Sequence, residues 1–246
     1  MTRLDLFCVS LGLVESRTKS KNLIISGKVS VNGKTETKPS LLVEETSVIH
    51  IDDTEKYVSR GAYKLKKALE AFEISAKDKI CVDIGASTGG FTQILLENGA
   101  EKVYAVDVGK NQLHSLIKSD KRVISLEETN ARELSENSFQ EEISLLVMDV
   151  SFISQSLIYP AISRILKKEG IFVSLIKPQF EVGRENIGKG GIVKNDKLYN
   201  KVIEKLKTEG EKNGLYMNDC IPSPIEGGDG NKEFLAYFIN KGSISQ

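Results

Sequence analysis

The first fifty residues carry two hydrophobic periods. Leu4, Leu6, Phe7, Leu11 and Leu13 predict a first helix with one buried face. Ser16 stands as the N-cap of a second helix through Leu23, Ile24 and Ile25, with Gly27 where a C-cap glycine belongs. Val29 and Val31 then alternate with polar residues, Asn32-Gly33 is a tight-turn signal, and Val48, Ile49 and Ile51 predict another short strand. Helix, helix, hairpin and strand make a small α+β unit with a modest core. The polar stretch Asp52–Lys56 reads as a linker, so the expected domains are 1–56 and 57–246.

Past the linker the period changes. Ala62–Phe72 reads as a helix with Leu65, Ala68, Leu69 and Phe72 on one face. Short β-rich runs then recur between helical stretches: Ile80–Ile84, Val103–Val108, Val123–Leu126, Ile143–Met148, Ile171–Ile176 and Phe234–Ile239. That alternation predicts an α/β fold, a Rossmann-like, doubly wound, mostly parallel sheet. Such sheets bind ligands beyond the carboxyl ends of their strands, so the residues at those ends carry the information about function.

Composition narrows the classes. With 246 residues, 40% hydrophobic and 28% charged, the chain has a globular rather than a disordered balance. No apolar run approaches the ~20 residues that span a bilayer. Asp5 interrupts the apolar start and no small-residue cleavage site follows, so no signal peptide is expected. Cys8, Cys81 and Cys220 are scattered, which predicts a reducing cytoplasm and no zinc. With only His50 and His114, neither a histidine-rich metal site nor a Ser/His/Asp hydrolase is expected. Lys+Arg and Asp+Glu are both 34, so a polyanion would have to be met by a local patch. One exists: between Ser16 and Lys38, Arg17, Lys19, Lys21, Lys28, Lys34 and Lys38 face a single acid, Glu36. A solvated charged face is the plain alternative for such a run.

The first strand of the larger unit runs into Asp83-Ile-Gly85-Ala86-Ser87-Thr-Gly89-Gly90-Phe91-Thr92. The glycines permit a tight turn and close approach of a ligand. Their spacing is neither G-x-G-x-x-G nor G-x-x-x-x-G-K-[ST], which disfavours nicotinamide, flavin and nucleoside triphosphate. An acid before the turn repels pyrophosphate but suits a ligand carrying an ammonium and a sulfonium. Asp107, 22 residues beyond Gly85, can hold ribose hydroxyls. The glycines alone fit a structural turn equally well; with Asp83 and Asp107 the pattern favours S-adenosylmethionine. Asn130 could meet the adenine edge or be an ordinary loop residue.

Asp149 and Lys177 end two apolar strands, Glu233 opens the last strand, and Lys64 lies on the helix before the sheet. Pro178 keeps Lys177 extended at its strand tip. Taken singly, each residue fits a rim salt bridge. Taken together they suit deprotonation of a sugar hydroxyl, with Lys177 as the base, Asp149 and Glu233 steering its ammonium, and no metal. There is no N/D-P-P-Y/F after the fourth strand, where Asp149-Val-Ser-Phe152 stands, and no cysteine ends a strand. Both absences disfavour base methylation.

Five segments carry a resemblance: Tyr57–Leu65, Asp83–Thr92, Val147–Ser154, Ile176–Glu181 and Ser223–Leu235. On these the chain resembles the TlyA family of ribosomal RNA 2′-O-methyltransferases, also called haemolysins. Its first unit resembles the RNA-binding domain of ribosomal small-subunit protein S4. The resemblance implies a class I methyltransferase fold and the Lys-Asp-Lys-Glu tetrad of FtsJ-type enzymes, falling on Lys64, Asp149, Lys177 and Glu233. It also implies S-adenosylmethionine as cofactor and cytidine ribose methylation in large-subunit, in some members also small-subunit, RNA. The short start, with Arg3 almost at the terminus, is similar to members acting on the large subunit alone. Choosing Lys64 over Lys66 and Lys67 rests on the motif. The expected RNA-facing residues are Arg3, Arg17, Lys19, Lys21, Lys28, Lys34, Lys38 and Arg60, with ribosomal RNA as the partner, no membrane, no protein partner and a monomer. A base methyltransferase on the same fold, a non-catalytic assembly factor and a membrane-lytic toxin are the rival readings.

Overall fold

The computed structural model describes residues 1–14, 16–52, 57–228 and 230–242. The chain forms two compact units, Met1–Lys56 and Tyr57–Gln246. Of the expected linker, residues 53–56 lie outside the described residues, as does Asp229 of the last motif.

The smaller unit runs β1 (Thr2–Arg3), α1 (Leu4–Ser10), α2 (Arg17–Ile25), β2 (Val29–Val31), β3 (Lys34–Glu36), β4 (Leu42–Val43) and β5 (Ile49–Ile51). The Ser16 side chain accepts the Lys19 N–H and caps α2, and Gly27 takes φ +73° just past its end. Asn32 and Gly33 both adopt positive φ, the geometry of a tight hairpin turn, so β2 pairs antiparallel with β3 on one side and β5 on the other. The buried face of α1 is Leu4, Phe7 and Cys8; Leu6, Leu11 and Leu13 are exposed. The expected apolar face is thus corrected: α1 ends at Ser10, so Leu11 and Leu13 leave the helical period. Val14, Leu23, Ile24, Val29 and Val43 close this core.

The larger unit runs α3 (Gly61–Ala71), β6 (Ile80–Ile84), α4 (Gly90–Glu97), β7 (Lys102–Val106), α5 (Ser115–Lys118), β8 (Val123–Leu126), β9 (Ile143–Met148), α6 (Tyr159–Ile165), β10 (Leu166–Ile176), α7 (Lys197–Lys212), β11 (Leu215–Pro222) and β12 (Phe234–Asn240). Among the described residues, seven strands form one sheet in the order β11-β12-β10-β9-β6-β7-β8. The pairs from β10 to β8 are parallel; β12 runs antiparallel to both β10 and β11. Strand alternation divides the core. Val82, Ile84, Leu146, Phe172 and Phe238 pack beneath α6 and α7. Cys81, Leu145, Val147, Val173 and Leu235 pack beneath α3 and α4.

The order reverses between β6 and β9, and the strand ends there form the floor of the site. Because β12 is antiparallel, its first residue lies beside the last of β10, with Phe234 opposite Ile176. Glu233 is thereby delivered to the same sheet edge as Lys177.

Candidate functional site

The turn after β6 leaves glycine no substitute at two places. Gly85 has φ +80°, and a Cβ there would run into the Asp149 carbonyl oxygen. Gly89 has φ +95° and caps α4 against Leu113 and Ile117. The turn is therefore pressed against the end of β9, and two cavities open on either side of that contact. One, of about 390 Å³, has Gly85, Ser87, Asp107, Asn130 and Asp149 in its lining, with apolar walls from Ile84, Val106 and Ile158. The other, of about 250 Å³, is lined by Arg60, Lys64, Ala86, Gly90, Phe91 and again Asp149. Gly85, Ser87 and Asp149 belong to both.

Asp107 follows β7 and is held by backbone donors: Ser87 N–H reaches Oδ2 at 2.8 Å and Gly109 N–H reaches Oδ1 at 2.7 Å. Each oxygen keeps a lone pair for a further donor. Asn130 is engaged locally, accepting from the Arg132 backbone and donating to Glu133. These residues, the glycine cradle and the apolar walls fit an adenosine-bearing ligand.

Asp83 does not line either cavity. Strand alternation sends it to the same face as Cys81, where it is fully buried and accepts the Thr92 hydroxyl of α4 at 2.7 Å. Its other oxygen has no hydrogen-bond partner among the described residues. Burial pushes its carboxyl up to about 7, only partly offset by Thr92. Gly89 is likewise a packing residue beneath the turn rather than part of a cavity wall.

The four expected catalytic residues form two ion pairs. Lys177 Nζ lies 2.5 Å from Asp149 Oδ1 and donates to the Ser151 hydroxyl at 2.8 Å. Lys64 Nζ lies 2.5 Å from Glu233 Oε2, both side chains buried. The expectation that Glu233 steers Lys177 is corrected: α3 packs over this sheet edge and brings Lys64 to Glu233 instead. Lys66 and Lys67 point away from the core, so burial as well as the motif selects Lys64. Ser151, within the Asp149-Val-Ser segment, is a partner of Lys177 that strand-end reasoning missed.

In the smaller unit, Asp5 is 0% exposed and holds two of the expected RNA-facing residues. Arg3 donates to both of its oxygens at 3.0 Å and Arg17 to Oδ2 at 3.1 Å. The Arg3 hydrogen bonds, against the cost of burial, hold the Asp5 carboxyl down at about 2, with Arg17 adding to the effect. The signal was available, since an acid sits between Leu4 and Phe7 on the buried face of α1. Lys34 and Lys38 are exposed, Lys19, Lys21 and Lys28 half-buried, and Arg60 is exposed at the start of α3.

Residues 57–239 match the FtsJ-like methyltransferase family and residues 2–49 match the S4 domain. The chain is 46% identical to hemolysin A of Brachyspira hyodysenteriae, covering 96% of this chain and 99% of that protein. It is 39% identical to the 16S/23S rRNA (cytidine-2′-O)-methyltransferase TlyA of Mycobacterium tuberculosis, covering 96% and 88%. A solved protein of Streptococcus thermophilus that carries a hemolysin name aligns with a TM-score of 0.79 at 43% identity, over 98% of this chain and 89% of that one. The larger unit is therefore a methyltransferase domain. The chain belongs to the TlyA family of FtsJ-like methyltransferases with an S4 domain.

Proposed function

We propose that this chain transfers a methyl group from S-adenosylmethionine to the 2′-hydroxyl of a cytidine in ribosomal RNA. The observation that carries the reading is the meeting of Asp149, Lys177, Lys64 and Glu233 at one sheet edge, with Asp149 also forming a wall of the larger cavity. In this reading the 390 Å³ cavity holds the cofactor, with Asp107 on its ribose, Gly85, Ala86, Ser87, Gly90 and Phe91 around it, and Asn130 by the adenine. Bound there, S-adenosylmethionine supplies a sulfonium methyl group. Lys177, as the free amine, takes the proton of the ribose hydroxyl; Asp149 and Ser151 fix the direction of its Nζ. Lys64 and Glu233 offer the sugar a fixed charged neighbour. Most of the rate gain comes from positioning, because the reaction brings two groups into line.

The unit 1–56 serves as the RNA-binding domain and 57–246 as the catalytic domain. Arg3, Arg17, Lys19, Lys21, Lys28, Lys34, Lys38 and Arg60 meet phosphate, which positions the RNA rather than reading its bases. The chain works as a monomer in the cytoplasm. Among the described residues no helix is long and apolar enough to cross a membrane.

The test is mass-spectrometric mapping of ribose methylation in both ribosomal RNAs from cells with and without this protein. A cytidine 2′-O-methyl group present only with the protein is expected in the large-subunit RNA. It should make the backbone resist alkali at that nucleotide. A mark on a base, with normal alkali cleavage, would refute ribose methylation. No difference at any nucleotide would favour an assembly factor.

A further inference from the structure

The segment Ile176–Glu181 ends in a carboxylate that the proposed reaction does not use. The Glu181 side chain is 2% exposed. A buried carboxylate is costly unless paired and hydrogen-bonded, and each of its contacts here reaches another element. Oε1 accepts the Gln155 backbone N–H at 2.8 Å. Oε2 accepts the Ser154 hydroxyl at 2.7 Å and the Lys205 ammonium of α7 at 3.1 Å. Ser154 and Gln155 lie in the loop that begins at Asp149, whereas Glu181 lies in the turn that begins at Lys177. The carboxylate is a buried tie between the two segments that carry the Lys177–Asp149 pair.

The loop is anchored at its start, where Asp149 N–H donates to the Ile84 carbonyl and Val150 packs against the core, and its tip is exposed. Ser151 and Phe152 are exposed, and Phe152 adopts φ +65°, a left-handed conformation costing about 1–2 kcal/mol for a residue with a side chain. Toward solvent, the two segments also meet through the Lys177–Asp149 ion pair, the Lys177–Ser151 hydrogen bond and the Phe152 and Phe180 rings at 5.1 Å. Toward the core, buried Gln155 accepts the Ser174 hydroxyl of β10. Glu181 joins this core-side anchor to the Lys177 turn.

We propose that Glu181 is a positioning residue for methyl transfer, setting the separation of Lys177 from Asp149 by fastening their two loops together; this rests on the function proposed above. It lines neither cavity and acts only through the pair. The variant E181Q keeps the shape of the side chain and removes its charge and one acceptor. Crystal structures of wild type and E181Q should show Lys177 Nζ moving out of its 2.5 Å ion-pair contact with Asp149. The kcat should fall about tenfold to a hundredfold, as displacement of a reacting group by about 1 Å does. The KM for S-adenosylmethionine should stay within about twofold, since ground-state binding is untouched. Should E181Q not fold, S154A removes one hydroxyl from the same carboxylate and is read in the same way. An unmoved pair with wild-type kcat, or a loss confined to melting temperature, overturns the proposal. If wild type transfers no methyl group the proposed function fails, and the pair separation in the crystals still judges Glu181.

Discussion

Gly85 is barred from carrying a side chain by its backbone and by its neighbour. Its φ of +80° costs other residues about 1–2 kcal/mol, and a Cβ would displace the Asp149 carbonyl. G85A should therefore raise the Kd for S-adenosylmethionine at least about tenfold and lower the melting temperature, both readable by calorimetry. Unchanged cofactor affinity would place the ligand elsewhere. Lys177 calls for a different kind of substitution. Arginine keeps the positive charge near Asp149 but does not give up its proton in proteins, so K177R separates a base from a fixed charge. Methyl transfer by K177R and K177A should fall together, by roughly 10²–10⁴, with RNA affinity retained. Activity surviving in K177R alone would assign Lys177 to charge stabilisation.

At the scale of elements, α1 and α2 are joined through a charge cluster rather than by apolar packing alone. Asp5, on the buried face of α1, takes Arg3 from β1 and Arg17 from the first turn of α2. Both arginine side chains stay partly exposed, 39% and 48%, so each can face phosphate while Asp5 orients it. Replacing both arginines by alanine should weaken RNA binding across sequences and flatten the plot of log K against log salt by about 1–2. An unaltered slope in filter binding from low to high salt would remove these residues from the phosphate contacts. Elements were legible where period and punctuation agreed, as in the Ser16 cap, the Asn32-Gly33 turn and the strands β6 and β9. β11 was not legible. It is an edge strand with Asn218 and Asp219 in its middle, a register irregularity between Met217 and Asp219, and Pro222 at its end, so no clean alternation marks it. The start of β10 was hidden for a similar reason, since Lys167, Lys168 and Glu169 interrupt its apolar run. Strand ends located the candidate site, but partners across the sheet edge were beyond reach. Which acid meets which lysine depends on how α3 packs, and periodicity carries no trace of that.

Across the whole molecule, each unit contains a fully buried aspartate, Asp5 in the smaller and Asp83 in the larger, and the two respond to pH with opposite sign. Burial raises Asp83 from an ordinary 3.8 to about 7, so its contribution to stability is fully present below about pH 4 and is lost as pH rises through 7. Asp5 is lowered from 3.8 to about 2 by its arginines, so its contribution is present above about pH 4 and is lost as pH falls through 2. The two can be watched separately, because all seven tyrosines lie in the larger unit and the chain has no tryptophan. Tyrosine fluorescence therefore follows the methyltransferase unit alone. The variant D83N keeps an acceptor for the Thr92 hydroxyl and cannot ionise. Urea titrations read by tyrosine fluorescence should show wild type losing stability relative to D83N between pH 4 and 8. The gap should approach, at most, on the order of 4 kcal/mol once Asp83 is charged. Parallel curves across that range would mean that the carboxylate finds a partner in solution, and the turn beneath the 390 Å³ cavity would then be polar inside rather than dry.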